Sequence, residues 1–185
     1  SIDAGADLVL FSGDKLIGGP QAGVIVGRRK YIEQIERNPL MRAIRVDKLT
    51  LAALSATLSA LTDPQQAARE LPLWMMLTAT VEDLHRRAEC IIDELNSRVA
   101  GFSANIVAST AHVGGGSLAG QGLDSVAISL RCDRASDEEL ARRLRTGTPA
   151  VVGRLQGGCV LVDMRAVLPR QDEDLVVALA ATFEN

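Results

Sequence analysis

The sequence lacks the features that would place it in a membrane or direct it out of the cell. None of its apolar runs approaches the roughly 18 residues that a membrane-spanning helix needs. No secretory signal opens the chain. We therefore expect no membrane partner and a cytoplasmic location.

The sequence also lacks the spacing of a metal or disulfide site. Its cysteines, Cys90, Cys132 and Cys159, are odd in number and far apart, without the short spacings of zinc or redox motifs. His85 and His112 are equally isolated. We expect no metal site, cysteines that are small core residues or free thiols, and histidines with structural roles.

An excess of positive charge is missing as well. The 185 residues carry 20 Lys and Arg against 23 Asp and Glu, for a formal net charge of −3. This balance argues against the chain alone binding nucleic acid through its phosphates. What the chain does have is 47% apolar and 23% charged residues, which is typical of a globular protein with a core.

A lysine follows the first apolar run. Residues 8–11 are all apolar, which predicts a strand buried on both faces, as in a covered parallel sheet. Because no earlier strand is present to pair with it, we expect the N-terminal part of the protein to be missing.

Gly13 permits a sharp turn, and Lys15 then lies at a strand end, where ligands bind in open α/β folds. Burial there favours a neutral amine that can form an imine; otherwise Lys15 is an ordinary solvated residue.

A glycine-rich turn and a second apolar run complete this segment. Pro20 and the glycines within residues 18–23 predict a turn, and residues 24–26 predict a short strand. Ser12 and Asp14 precede the lysine. Asp14 either assists proton transfer at the lysine or pairs with a base. Ser12 either binds a ligand or hydrogen-bonds to the turn backbone.

Two arginines further along are three residues apart. In a helical turn the guanidinium groups of Arg42 and Arg45 would converge, and such a pair suits a phosphate-like oxyanion. A solvated helix face is the alternative. Arg154 and Arg165 follow apolar strand residues, so they either face a cleft or form internal salt bridges.

Helical patterns organise the middle of the chain. Asp47 predicts an N-cap for a core helix whose apolar stripe is Leu51, Leu54, Leu58 and Leu61. Beyond Pro72 an apolar stripe passes through residues 77, 81, 84, 88, 91, 95 and 99. This stripe predicts one long helix that bridges two domains or, alternatively, forms a coiled-coil seam.

After Gly101 the pattern changes to short strands. We predict them at residues 105–109, 125–131, 150–155 and 159–164, with helices at 136–145 and 171–182. Gly157 and Gly158 after Gln156 predict a tight antiparallel hairpin, and the glycines at 114–116 and 120–122 predict loops. The expected architecture is α/β, with residues 1–71 ending a large domain, 72–100 forming a linking helix and 101–185 forming a small α+β domain.

Two segments resemble a single enzyme family. Residues 12–23, Ser-Gly-Asp-Lys-Leu-Ile-Gly-Gly-Pro-Gln-Ala-Gly, are similar to the cofactor-lysine segment of bacterial selenocysteine synthases, the L-seryl-tRNA(Sec) selenium transferases. Residues 38–54 resemble the same family, and residues 152–154 with 161–165 match it less specifically. The resemblance implies the C-terminal portion of a fold-type I enzyme that uses pyridoxal 5′-phosphate (PLP).

The resemblance also implies a role for each candidate residue. Lys15 would bind PLP and act as general base, Asp14 would assist it, and Ser12 would bind the cofactor phosphate. Arg42 and Arg45 would bind the selenophosphate anion. Seryl-tRNA(Sec) would lose its hydroxyl to give a dehydroalanyl intermediate, to which selenium adds to give selenocysteinyl-tRNA(Sec). A homo-oligomer is implied too, as is a preceding domain that helps to hold the tRNA.

Two other interpretations stay open. A paralogous PLP-dependent lyase acting on a small phosphorylated amino sugar or amino acid would use the same scaffold and arginine pair. The second interpretation is a truncated, non-catalytic assembly module. Since the phosphate-binding loop, the ring-stacking group and the acid for the pyridinium nitrogen are absent from this sequence, we expect no turnover by the fragment alone.

Overall fold

The computed structural model describes residues 1–114 and 120–184. They form two compact units, the first comprising Ser1–Met75 and the second beginning at Met76. Of the predicted glycine loops, Gly115 and Gly116 lie outside the described residues. No helix within the described ranges is long and apolar enough to cross a membrane.

The first unit combines one hairpin with short helices. Its elements are β1 (Leu8–Ser12), β2 (Gly23–Gly27), α1 (Arg29–Arg37), α2 (Pro39–Ile44), α3 (Lys48–Ala60) and α4 (Pro64–Glu70). Helix α5 (Pro72–Thr78) continues into the second unit.

Within this chain β1 pairs antiparallel with β2 and is not buried on both faces, while its pairing with parallel strands upstream stays a prediction. β1 pairs antiparallel with β2, in a register that runs from Leu8 opposite Gly27 to Ser12 opposite Gly23. Leu10 in the middle of β1 is 69% exposed. The described part of this sheet has two strands, and because no residue of β1 is fully buried, neither face of β1 is fully covered within this chain.

Helix α3 begins where the sequence predicts but buries a different face. Asp47 caps it, with Oδ1 accepting hydrogen bonds from the backbone N–H groups of Leu49 at 2.7 Å and Thr50 at 2.9 Å. The buried residues are Leu54, Thr57 and Ala60, whereas Leu51 and Leu58 of the predicted stripe are 59% and 40% exposed. The buried face turns toward Thr57 because the glycine-rich loop after β1 packs there.

Within the described residues, the second unit contains the end of α5, a four-stranded antiparallel sheet and three further α-helices. Its elements are α6 (Val81–Arg98), β3 (Phe102–His112), β4 (Gly122–Cys132), α7 (Asp137–Thr146), β5 (Arg154–Gln156), β6 (Cys159–Asp163) and α8 (Asp172–Glu184), with the strand order β3-β4-β6-β5. The predicted hairpin is confirmed, with Gln156 opposite Cys159. The predicted strand at 150–155 was wrong for residues 150–153, because β5 pairs with β6 only from Arg154 to Gln156.

The long helix predicted after Pro72 is interrupted. α5 ends at Thr78, and Thr80 starts α6 anew because its hydroxyl accepts a hydrogen bond from the Asp83 N–H at 3.1 Å. The central stripe of α6 is buried as predicted, through Leu84, Ala88, Ile91 and Leu95. This stripe belongs to the core of the second unit, packed with residues of β4 and α8, and not to a coiled-coil seam. A linking role for residues 72–100 stays a prediction.

Candidate functional site

The predicted site lysine lies in a loop with a fixed backbone. This loop, residues 13–22, joins the paired ends of β1 and β2. The Gly13 N–H donates to the Ala22 carbonyl at 2.8 Å, and the Gly19 N–H donates to the Gly13 carbonyl at the same distance. The Gly18 N–H donates to the Lys15 carbonyl at 2.8 Å, so Lys15 begins a closed turn.

Close packing leaves no room for a side chain at Gly13 and little room at Gly19. A Cβ atom at Gly13 would lie 2.7 Å from the Pro20 carbonyl oxygen, and one at Gly19 would lie 3.1 Å from Oγ1 of Thr57. Gly18 has φ +75°, a left-handed conformation that side chains disfavour. The glycines therefore let the loop fold tightly on itself and against α3.

The structure brings together three of the predicted site residues. The Ser12 hydroxyl donates a hydrogen bond to Oδ1 of Asp14, and Oδ2 of Asp14 lies 3.6 Å from Nζ of Lys15. The hydrogen bond from Ser12 is the main cause that lowers the pKa of the Asp14 carboxyl, and the charge of Lys15 lowers that pKa further. Asp14 is therefore a carboxylate at neutral pH, held beside the amine.

Burial of the lysine, which the sequence argument assumed, is not found in this chain. The Lys15 side chain is 45% exposed. No residue of the strand before it is fully buried, and no apolar surroundings enclose the amine. What the loop provides is an accessible amine at a fixed place, with one carboxylate as its ion partner.

The two candidate anion-binding arginines are placed differently from the prediction. Asn38 caps α2 by accepting a hydrogen bond from the Leu40 N–H at 2.9 Å, and the helix ends at Ile44. Arg42 is therefore helical, but Arg45 follows the helix with an extended backbone, φ −62° and ψ 142°. The single helical turn assumed for the pair is wrong. Both residues are exposed, and neither forms an ion pair with any part of the chain that the structure describes.

The two candidate arginines of the second unit, Arg154 and Arg165, have internal partners. Nη2 of Arg154 donates to Oγ of Ser109 at 2.7 Å and lies 3.2 Å from Oδ2 of Asp163. Arg165 is only 7% exposed, and Nη1 donates to the carbonyls of Met76 and Ala79 at 2.8 Å each. The salt-bridge alternative thus holds for Arg154, whereas Arg165 binds backbone carbonyls.

Sequence reasoning missed the carboxylate at the centre of this network. Asp163 accepts hydrogen bonds from the hydroxyls of Ser125 at 2.6 Å and Ser109 at 2.8 Å. It also accepts one from the Arg165 N–H at 3.2 Å. The three partners come from separate strands and turns, so no local spacing could have indicated it. An acid at the end of a buried strand was the one available signal.

For the cysteines, the structure agrees with the free-thiol alternative that the sequence left open. All three cysteines are free thiols and none is fully buried, although Cys132 packs against the core of the second unit. Within residues 1–114 and 120–184, no cluster of His, Cys, Asp and Glu could hold a metal ion.

The fold and the loop define an α/β protein whose two units are built on antiparallel sheets and which presents one amine beside a carboxylate at the end of a hairpin. The family model for L-seryl-tRNA selenium transferase (SelA) matches residues 1–168. The chain belongs to this family.

Individual relatives agree with the family match. The chain is 42% identical over 178 residues to an L-seryl-tRNA(Sec) selenium transferase of Alkaliphilus oremlandii, which covers 96% of this chain and 38% of that protein. It is 43% identical over 186 residues to the protein of the same name from Moorella thermoacetica, with 100% and 39% covered. For the Geobacter sulfurreducens protein the identity is 42% over 184 residues, with 99% and 39% covered. The chain thus spans about two fifths of the length of these relatives.

Proposed function

We propose that this chain is the cofactor-lysine portion of a PLP-dependent, fold-type I enzyme that converts seryl-tRNA(Sec) to selenocysteinyl-tRNA(Sec) with selenophosphate. The observation that carries the proposal is the Lys15 amine, held in a fixed loop beside Asp14 at 3.6 Å. The relatives at 42–43% identity are named as selenium transferases acting on seryl-tRNA(Sec), which supports this choice of substrate.

The chemistry of the loop fits PLP. A cofactor that carries an aldehyde and a phosphate calls for a reachable primary amine and for hydrogen-bond donors. Lys15 supplies an amine that is 45% exposed, and Ser12 supplies a hydroxyl three residues away. When bound, PLP supplies an electron sink that stabilises negative charge at the substrate Cα.

Lys15 has two tasks in this proposal. Its amine first holds the cofactor. Once the amine is released, it accepts the proton from Cα of the seryl group, which a general base can do only within hydrogen-bond reach of that proton. Asp14 stabilises the resulting ammonium, because its lowered pKa keeps it charged. The Ser12 hydroxyl orients Asp14 by donating a hydrogen bond to its carboxylate. When the hydroxyl donates to the cofactor phosphate instead, it no longer orients Asp14.

Arg42 and Arg45 are proposed to bind the oxyanion of selenophosphate. Both are exposed and free of carboxylate partners among the described residues, so their charge is available to a ligand. Guanidinium groups suit phosphate-like oxygens because they donate paired hydrogen bonds in a plane. Arg42 lies on α2, and Arg45 lies beyond its end. In this proposal, the two side chains therefore reach the anion from two different segments.

Partners and location follow from the substrate. The chain carries a net charge of −3, so we propose that the remaining length of the protein provides most of the contacts to tRNA phosphates. A homo-oligomer in the cytoplasm, where aminoacyl-tRNAs are used, completes the proposal.

The test uses a full-length protein that contains this chain. The protein is incubated with PLP, reduced with borohydride and digested, and the labelled peptide is mapped by mass spectrometry. We expect the label on Lys15 and its loss in Lys15→Ala, while Lys48→Ala, at another exposed lysine, keeps it. A label on another lysine, or none, contradicts the proposal.

A second measurement separates the transferase from the paralogous lyase. Formation of selenocysteinyl-tRNA(Sec) is followed with seryl-tRNA(Sec) and selenophosphate. Arg42→Gln is expected to raise the KM for selenophosphate by roughly tenfold or more, since a charge-assisted hydrogen bond is lost. A labelled Lys15 in a protein that does not bind seryl-tRNA(Sec) favours the lyase.

A further inference from the structure

The second unit contains a cavity that the proposed function does not use. It has a volume of about 370 Å³ and lies between the β5–β6 hairpin, residues 149–152 and the start of α8. Much of its wall is aliphatic, contributed by Val151, Val162, Val167 and Leu175. Such a wall favours a ligand with an apolar body.

One cation is fixed at this cavity. Arg154 lines it, and Nη2 is held by Ser109 at 2.7 Å and Asp163 at 3.2 Å. The Arg154 side chain is still 52% exposed, and its other two nitrogens have no hydrogen-bond partner among the described residues. A guanidinium that is anchored on one side and open on the other can bind a carboxylate.

The two carboxylates at the cavity differ in their availability. Asp163 is 13% exposed and already accepts hydrogen bonds from Ser109, Ser125 and Arg165. Asp174, in the first turn of α8, is exposed and has no ion partner in the described part of the chain. Asp174 is therefore the one acid free to bind a ligand ammonium.

The charges at the wall select the ligand. The cavity is lined by one guanidinium and two carboxylates, so a phosphate or a nucleotide would meet net negative charge. A zwitterion has no net charge of its own, so it leaves the net charge at the cavity unchanged. Its carboxylate would pair with Arg154 and its ammonium with Asp174. The side-chain amide of Gln171 adds a donor, because its Oε1 already accepts from the Leu168 N–H at 3.0 Å.

We propose that this cavity binds a free α-amino acid with an aliphatic side chain. The carboxylate pairs with Arg154, the ammonium with Asp174, and the side chain packs on the valines and Leu175. This inference does not rest on the proposed function, since none of its residues belongs to the Lys15 loop.

Equilibrium dialysis of the full-length protein with radiolabelled L-leucine tests the proposal. We expect saturable binding at one site per chain, with weaker binding of isocaproate, which lacks the ammonium, and of isopentylamine, which lacks the carboxylate. Asp174→Asn and Arg154→Gln should each weaken leucine binding by roughly tenfold or more. Circular dichroism confirms that each variant is folded.

Glu173→Gln is the matched control, because Glu173 is an exposed acid in the same helical turn that does not line the cavity. It should bind leucine as the unchanged protein does. Absence of saturable leucine binding overturns the proposal, as does equal binding by Asp174→Asn or tighter binding of AMP than of leucine. Borohydride labelling of Lys15 is measured separately, so failure here leaves the proposed function standing.

Discussion

At the residue scale, the thiol of Cys159 has a distinctive environment. Nε of Arg131 donates a hydrogen bond to its Sγ at 2.9 Å. Hydrogen bonds from Ser129 and then from Arg131 lower the pKa of the Cys159 thiol. Because the thiolate is the nucleophile, this residue should be alkylated at lower pH than an unassisted cysteine.

Removal of the Ser129 hydroxyl tests whether its hydrogen bond lowers the pKa of the Cys159 thiol. In Ser129→Ala, the pH at which iodoacetamide modifies Cys159 at half its maximal rate should rise, because the largest stabilisation of the thiolate is lost. Peptide mapping by mass spectrometry follows the rate at Cys159 across pH. Ser97→Ala, on α6, serves as control and should leave the curve in place. An unchanged curve in Ser129→Ala would show that the serine does not stabilise the thiolate.

Gly13 is the residue on which the shape of the lysine loop depends most. A methyl group there would lie 2.7 Å from the backbone oxygen of Pro20, and backbone cannot move aside as a flexible side chain can. Gly13→Ala should lower the free energy of unfolding by about 1–3 kcal/mol, measured by urea denaturation. At Gly23, where a Cβ would meet nothing within 4 Å, the same substitution should change stability by less than about 0.5 kcal/mol. Equal effects at both glycines would contradict the packing argument.

At the scale of elements, Arg165 connects segments that are distant in sequence. It binds the carbonyls of Met76 and Ala79, at the junction of α5 and α6, and also that of Asp124 on β4. Several hydrogen bonds from one buried guanidinium therefore hold this junction to the sheet.

Arg165→Met should destabilise the protein by about 2–5 kcal/mol, since it leaves buried carbonyls without donors. The free energy of unfolding is measured by urea denaturation. Arg170→Met, at an exposed arginine in the next short turn, should fall within about 0.5 kcal/mol of the unchanged protein. A small effect at Arg165 would mean that water replaces the guanidinium at these carbonyls.

The elements also show where sequence patterns are reliable. The N-cap at Asp47 and the hairpin turn after Gln156 depend on neighbouring residues, and both were predicted. The break between α5 and α6 was missed, because an apolar stripe continues through it and Thr80 is a weak signal by itself. The exposed leucines of α3 were missed since only the position of the glycine loop decides which face is covered.

At the scale of the whole molecule, several carboxyl groups that are exposed or half-buried have lowered pKa values. They are Asp14, Asp47, Asp83 and Glu139, each through hydrogen bonds from nearby side chains or backbone. For Glu139, hydrogen bonds from Arg142 and then Arg143 lower the pKa to about 2. A carboxyl group whose pKa is lower in the folded than in the unfolded state stabilises the fold at pH values above its unfolded pKa. This stabilisation is lost as the pH falls through the folded-state pKa.

The free energy of unfolding should therefore be constant from neutral pH down to about pH 5 and then decrease toward about pH 2. Urea denaturation at a series of pH values measures this dependence. In Glu139→Gln the decrease should be less steep, because one of the shifted carboxyls is gone. Glu138→Gln, beside it on α7 but without an ion pair in the described part of the chain, is the control. A stability that rises on acidification would contradict the prediction.

The sequence by itself determined the family, the α/β class and the residues of the lysine loop, because these depend on residue types at fixed spacing. Tertiary structure decided that Lys15 is half exposed, that Arg45 lies outside the helix of Arg42, and that Arg165 binds carbonyls while Arg154 pairs with Asp163. The physical reason is that burial and hydrogen-bond partners are set by segments far apart in the chain. No local pattern contains that information.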